Sequence, residues 1–136
     1  MAKQDLDCLF NPQSVAVVGV STQGLGSKMS GAAYVDALLA YGFKGGIYPV
    51  NPKGGEVFGL KIYPDIKDIP GSVDYLICSI PAQQIPQLIQ DCVAKGVKAI
   101  QIYTAGFSES GTEEGKRLER EISSLASQNG IRIIGP

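Results

Sequence analysis

Directly after an apolar run, the stretch Gly19-Val20-Ser21-Thr22-Gln23-Gly24-Leu25-Gly26-Ser27-Lys28 gathers glycines, hydroxyls and a lysine. Glycine lets the backbone approach a ligand closely, and a helix beginning downstream turns unpaired N–H groups toward an anion. That is chemistry suited to phosphate. Helix-end charge alone supplies about 0.3 to 1 kcal/mol when exposed, so Ser21, Thr22, Ser27 or Lys28 must add direct bonds if binding is tight. Two named phosphate loops are excluded. Ser27 separates Gly26 from Lys28, which breaks a Walker A pattern, and no Gly-x-Gly-x-x-Gly follows the first strand. A plain strand-to-helix turn is the alternative reading of this loop.

A second loop, Val50-Asn51-Pro52-Lys53-Gly54-Gly55, stands where an NAD site carries a carboxylate for the ribose hydroxyls. Lysine there favours a phosphorylated ribose instead, which coenzyme A (3′-phosphate) and NADP (2′-phosphate) both provide. The competing reading makes Lys53 a solvated loop charge. Ser79-Ile80-Pro81-Ala82 forms a third loop, in which Pro81 equally suits the first position of the following helix. The fourth, Thr104-Ala105-Gly106-Phe107-Ser108-Glu109-Ser110-Gly111, is longer than a connection needs and is a candidate for ligand or domain contact. Glu109, Glu113 and Glu114 are available as acids, although the last two fit the acidic start of a helix better.

These loops need elements that bring them to one edge. Ser14–Val20, Asp74–Ile80 and Lys98–Thr104 are apolar runs rich in β-branched residues and read as buried parallel strands. Gly46–Val50 and Ile131–Ile134 are two further candidates, with Pro49 placing the former near a sheet edge. In the segment 82–95, Ile85, Leu88, Ile89, Cys92 and Val93 recur at helical spacing, and Gly96 supplies the stop. From Thr112 to Asn129, Leu118, Ile122, Leu125 and Ala126 form one stripe, with Ser110 and Glu113 as a capping box and Gly130 as terminator. The helix from about Ser27 to Tyr41 is apolar around its circumference and is expected to be the most buried of the three. Residues 56–69, broken by Gly59 and Pro64, suggest a short hairpin and one helical turn. Alternating strands and helices predict a Rossmann-like, doubly wound parallel sheet of about five strands in three αβα layers. Ligands bind such sheets beyond the carboxyl ends of the strands, where strand order reverses.

Length and composition fit that picture. One domain spanning 1–136 can bury a real core, and 44% hydrophobic with 18% charged residues argues against disorder. A net charge of -1 points to neither nucleic acid nor an anionic membrane. No apolar run is long enough to span a bilayer and Met1-Ala2-Lys3-Gln4-Asp5 does not resemble a signal peptide, so a cytoplasmic protein is expected. Cys8, Cys78 and Cys92 lack metal-ligand spacing and read as small hydrophobes. The chain has no histidine. This removes Ser-His and Cys-His nucleophiles, His metal sites and phosphohistidine chemistry from the segment, and no metal site is expected.

Five segments together resemble a known family: Leu9 to Ser21, Gly45 to Lys53, Ile80-Pro81-Ala82, Thr104-Ala105-Gly106-Phe107-Ser108-Glu109, and Gly130 to Pro136. The order and spacing closely resemble the N-terminal CoA-binding domain of ADP-forming acetyl-CoA synthetases. That domain is similar to the start of the succinyl-CoA synthetase α-subunit and also occurs fused to protein acetyltransferases. The resemblance covers essentially the whole chain and resolves the tie in favour of coenzyme A.

It implies that Gly19, Val20, Ser21, Thr22 and Gln23, with Lys28 beyond them, face the phosphates and pantetheine. Lys53, within Asn51-Pro52-Lys53, lies near the adenosine phosphate. Ser79, Ile80 and Pro81 form the third contact, and Thr104, Ala105 and Gly106 lie near the thiol. In these ligases the phosphorylated histidine belongs to the following domain and the nucleotide-grasp module lies further on or in another subunit. The segment is therefore not expected to be active alone, and its partners are CoA or acyl-CoA and downstream ligase domains or a partner subunit. A stand-alone, non-catalytic CoA-binding module and an NADP-binding oxidoreductase fragment are the alternatives.

Overall fold

The computed structural model describes residues 7–20, 31–103 and 106–135. Its centre is β1 (Ser14–Val18), every residue of which is buried. Burial on both sides is what an unbroken Val-Ala-Val-Val run predicts, because side chains alternate and neither face can be polar. Val15 and Val17 enter one apolar cluster, while Ala16 and Val18 enter the other.

Around β1 lie β2 (Gly46–Val50), β5 (Tyr75–Cys78), β6 (Ala99–Ile102) and β7 (Arg132–Ile134). They form a five-stranded sheet of order β2-β1-β5-β6-β7. Each neighbouring pair is parallel, so the expected Rossmann-like α/β sheet is the fold observed. Pro49 sits on edge strand β2, as its missing N–H demands. Between β2 and β5 the chain forms the antiparallel hairpin β3 (Gly55–Val57) and β4 (Leu60–Ile62), then a 3₁₀ turn at Ile66–Asp68 capped by the Asp65 side chain. The hairpin turns at Phe58 and Gly59, both at positive φ, 51° and 81°, as two-residue hairpin loops require.

One face carries α3 (Ile85–Lys95) and α4 (Glu113–Gln128). Ile85, Leu88, Ile89 and Cys92 of α3 and Leu118, Ile122 and Ala126 of α4 are buried in one core with Leu76, Cys78, Ile100 and Ile102 of the sheet. Each leucine or isoleucine among them contributes about 1.5 to 3 kcal/mol by leaving water. α3 ends at Gly96, which adopts the left-handed conformation at φ 83°. Burial in this core pushes the Cys78 thiol up to about 12 and raises that of Cys92 as well, so both behave as core hydrophobes.

Three expectations are corrected. The helix expected to be most buried is less buried than α3: within its described part, α2 (Ala32–Ala40), only Ala32 and Val35 are buried, whereas α3 buries Ile85, Leu88, Ile89 and Cys92. α2 lies on the other face, against Val15, Val17 and Ile77, and among the described residues no second long helix flanks it. Its outward apolar residues therefore meet solvent, and Tyr41, just past its end, is 91% exposed. The cap of α4 is Thr112 rather than Ser110. The Thr112 hydroxyl accepts the Gly115 N–H at 3.0 Å, and with glycine at that position no reciprocal capping box forms. Pro81 is extended (φ -54°, ψ 142°) and caps a 3₁₀ turn at Ala82–Gln84, and Pro86 occupies the start of α3.

At the amino end of the chain, α1 (Asp7–Phe10) is a single turn. No helix among the described residues is long and apolar enough to cross a membrane.

Candidate functional site

Strand order reverses at β1, whose neighbours β2 and β5 are far apart in sequence. In parallel sheets of this kind the chain leaves the strands on either side of the reversal toward opposite faces, and the crevice between them at the carboxyl rim is where ligands bind. Gly19, the first residue beyond β1, stands at φ +98°. A β-carbon there would lie 2.4 Å from the Ser79 carbonyl oxygen and 3.3 Å from Ile80 Cγ2. Only glycine lets these two loops meet. Ser79 N–H in turn donates to the Val18 carbonyl at 3.0 Å, so the Gly19 and Ser79-Ile80-Pro81 segments are joined backbone to backbone.

The second loop is tied to the first by one side chain. Asn51 Nδ2 donates to the Val20 carbonyl at 2.6 Å, and Asn51 Oδ1 accepts the Lys53 N–H at 2.9 Å. The Gly19 and Val20 N–H groups both point at the Val50 carbonyl, at 3.1 and 3.3 Å. Asn51 is thus a clamp with both ends of its amide engaged inside the protein. Pro52 and Lys53 form the exposed corner of the turn that it holds, and Lys53 makes no ion pair with any described residue. A cation with no ion partner among the described residues, held on a fixed turn, has the chemistry to meet a phosphate.

At the far side of the crevice the fourth loop returns from β6. Gly106 (φ +109°) packs on the third loop, where a β-carbon would lie 3.3 Å from Ala82 Cβ. Phe107 is fully buried and anchors the loop. One carboxylate oxygen of Glu109 accepts the N–H groups of Gly106 at 2.7 Å and Phe107 at 3.0 Å. Backbone bonds from Phe107, Glu109 itself and Gly106 hold the Glu109 carboxyl below the usual range. Considered from sequence as an acid, Glu109 is instead a fixed anion that shapes the backbone. Its signal was legible in principle, as a carboxylate three residues after a glycine in a long loop. The Phe107 carbonyl accepts the Ser110 hydroxyl at 2.7 Å and occupies the place a side chain on Gly115 would need, 2.2 Å from a β-carbon there.

One further link spans the rim. The rings of Tyr34, in the first turn of α2, and Tyr103, just past β6, lie 4.9 Å apart. Burial, and then the neighbouring Tyr103, raises the Tyr34 phenol above its ordinary value.

Of the residues expected to contact ligand, the structure brings Gly19, Val20, Asn51, Ser79, Ile80 and Pro81 together, with Gly106 on their flank. Pro52 and Lys53 stand beside them on the clamped turn. Ser21, Thr22, Gln23, Lys28, Thr104 and Ala105 lie outside the described residues. Cavities are found among the described residues. One of about 540 Å³ lies by Lys98 and Arg132, at the opposite end of the strands, and one of about 340 Å³ runs beside α2 from Tyr34 to Phe43. The first is remote from the rim, whereas the second begins at Tyr34, beside it, and runs away along α2.

The chain matches the CoA binding domain family over residues 13–136. It is 42% identical over 135 residues to the alpha subunit of acetate–CoA ligase (ADP-forming) I of Pyrococcus furiosus, covering 96% of this chain and 28% of the relative. It is 45% identical over 133 residues to acetate–CoA ligase (ADP-forming) II of Archaeoglobus fulgidus, covering 97% of this chain and 19% of the relative. The chain therefore spans well under a third of the curated relatives it matches. Among solved structures, the dinucleotide forming acetyl-coenzyme A synthetase 1 of Candidatus Korarchaeum cryptofilum, in complex with phosphate and ADP, superposes with a TM-score of 0.88 at 42% identity, over 97% of this chain and 27% of that one. A hypothetical protein from Pyrococcus horikoshii superposes with a TM-score of 0.71 at 25% identity, over 94% of this chain and 79% of that one.

Proposed function

The chain belongs to the CoA-binding domain family, and we propose that it seats coenzyme A across the β1/β5 crevice as the CoA-binding domain of a longer, NDP-forming acyl-CoA ligase. In this reading residues 1–136 form one domain at the N-terminal end of the enzyme and work in the cytoplasm. The parent makes an acyl phosphate and passes phosphate through a histidine of another domain to a nucleoside diphosphate. This domain presents the thiol.

The observation that carries the proposal is the juncture of Gly19 with Ser79 and Ile80. Glycine there lets the loops after β1 and β5 meet, and these are the loops that border the ligand position of a parallel sheet. Beside it stands Lys53 on the Asn51 clamp, placed to pair with the 3′-phosphate. Ser21, Thr22, Gln23 and Lys28 continue the phosphate and pantetheine contact, and Thr104, Ala105 and Gly106 form the thiol end. A stand-alone, non-catalytic module is the second reading. The Pyrococcus horikoshii chain favours it, because this domain covers 79% of that protein.

Calorimetric titration with CoA, 3′-dephospho-CoA, NADPH and NADH tests the site. CoA is expected to bind best. Removing the 3′-phosphate, or substituting Lys53→Ala, should each weaken CoA by about 1.5 to 3 kcal/mol, the range for a charge-assisted bond. NADPH binding tighter than CoA overturns the proposal, and equal affinity for dephospho-CoA removes Lys53 from the site.

A further inference from the structure

Nothing in the ligand chemistry requires an acid at the fourth loop, yet a carboxylate is built into it. Glu109 lies on the 3₁₀ turn Ser108–Ser110, and its Oε1 atom draws in the N–H groups of Gly106 and Phe107. The Ser110 hydroxyl holds the carbonyl of the same Phe107, whose ring is sealed in the core. Both polar ends of the Phe107 backbone are therefore fixed by side chains from one turn. Gly106, held by the same carboxylate, rests against Ala82, the residue that follows Ser79-Ile80-Pro81. The Glu109 carboxylate is thus spent on the backbone that stands beside the third loop.

We infer that Glu109 is a positioning residue for the pantetheine arm of coenzyme A, holding the Gly106–Phe107 backbone against Ala82 so that the channel toward the thiol keeps its width. This rests on the proposed CoA site. It extends that site to a residue that touches no part of the ligand. Loss of the carboxylate frees two N–H donors and lets Gly106, at a φ no other residue adopts easily, relax away from Ala82. The adenosine end of the site, at Lys53 and Asn51, is untouched by that change.

The test is a comparison of two ligands on three proteins. CoA and adenosine 3′,5′-bisphosphate, which lacks the pantetheine arm, are titrated into the wild type, Glu109→Ala and Glu109→Gln. Glu109→Ala should weaken CoA by about tenfold, one charge-assisted bond's worth of order, and leave the bisphosphate within about twofold. Glu109→Gln keeps an acceptor oxygen without the charge and should fall between wild type and Glu109→Ala. Equal weakening of both ligands, or none, overturns the inference. If the wild type binds the bisphosphate but gains nothing from the arm, the CoA reading fails first. Should Glu109→Ala not fold, hydrogen exchange decides on the wild type and Glu109→Gln. The amides of Gly106 and Phe107 should be protected in the wild type and faster in Glu109→Gln, and unprotected amides in the wild type overturn the inference.

Discussion

Two parts of the same rim are held by opposite means. At the β1/β5 crevice the loops are fixed by the absence of a side chain, because Gly19 admits the Ser79 carbonyl to a place a β-carbon would fill. At the loop after β6 the geometry is fixed by the presence of one, the Glu109 carboxylate gathering two backbone amides. Steric contacts of the first kind are all-or-none, since interiors are packed too densely to yield by an ångström. Polar tethers of the second kind are graded, because a neutral acceptor or a protonated one keeps part of the bond. The β1/β5 juncture should therefore tolerate no substitution at Gly19, whereas the loop after β6 should respond by degrees.

The largest effect that tests this contrast is expected at Gly19→Ala. Backbone overlap and the positive φ together should destabilise the fold by about 3 kcal/mol, seen as a drop in Tm of roughly 10 °C, with CoA binding lost. A shift of only one or two degrees would show that the two loops can part and would undo the comparison. An intermediate effect belongs to Asn51→Ala, which removes the bonds to the Val20 carbonyl and the Lys53 N–H and should cost about 1 to 2 kcal/mol in chemical denaturation. Asn51→Asp sharpens the point. It keeps the acceptor for Lys53 but sets an anion against the Val20 carbonyl, so its defect should match Asn51→Ala or exceed it if the bridge between loops is the part that counts. The smallest effect is a pH response at Glu109. Its folded-state pKa is lowered, so its contribution is fully present above the ordinary glutamate value and is lost as pH falls through the lowered one. The Gly106 amide resonance should move on acidification and stay still at neutral pH, and an amide that ignores acid would break the assignment of the tether.

Much of this was legible in the residues because the strands are buried on both sides and advertise themselves as unbroken apolar runs. Ser14–Val18, Tyr75–Cys78 and Ala99–Ile102 lie within the runs that predict them, and Gly96, Gly42 and Gly130 stand at or just beyond helix ends at positive φ. The loops that converge were also readable, since in a parallel sheet the carboxyl ends of the strands share one edge. The exposure of α2 was not readable. Apolar residues around a helix announce that it could be covered, and say nothing about whether a neighbouring element exists to cover it. The cap of α4 was displaced from Ser110 to Thr112 because both hydroxyls satisfy the local pattern, and the choice falls to Phe107, whose carbonyl takes the Ser110 hydroxyl. The place of Asn51 in the Asn51-Pro52-Lys53 turn marks it as a ligand contact, and the structure adds a role inside the protein. That it bonds Val20, some thirty residues away, depends on strand order, which no local pattern contains.

The missing side chain at Gly115 has a mechanical consequence. With the Phe107 carbonyl seated directly on the first turn of α4, nothing compressible lies between that helix and the rim. Contact that close leaves no slack, so the Gly106–Phe107 segment and the first turns of α4, where Arg117 pairs with Glu114 and Glu121, are expected to shift together.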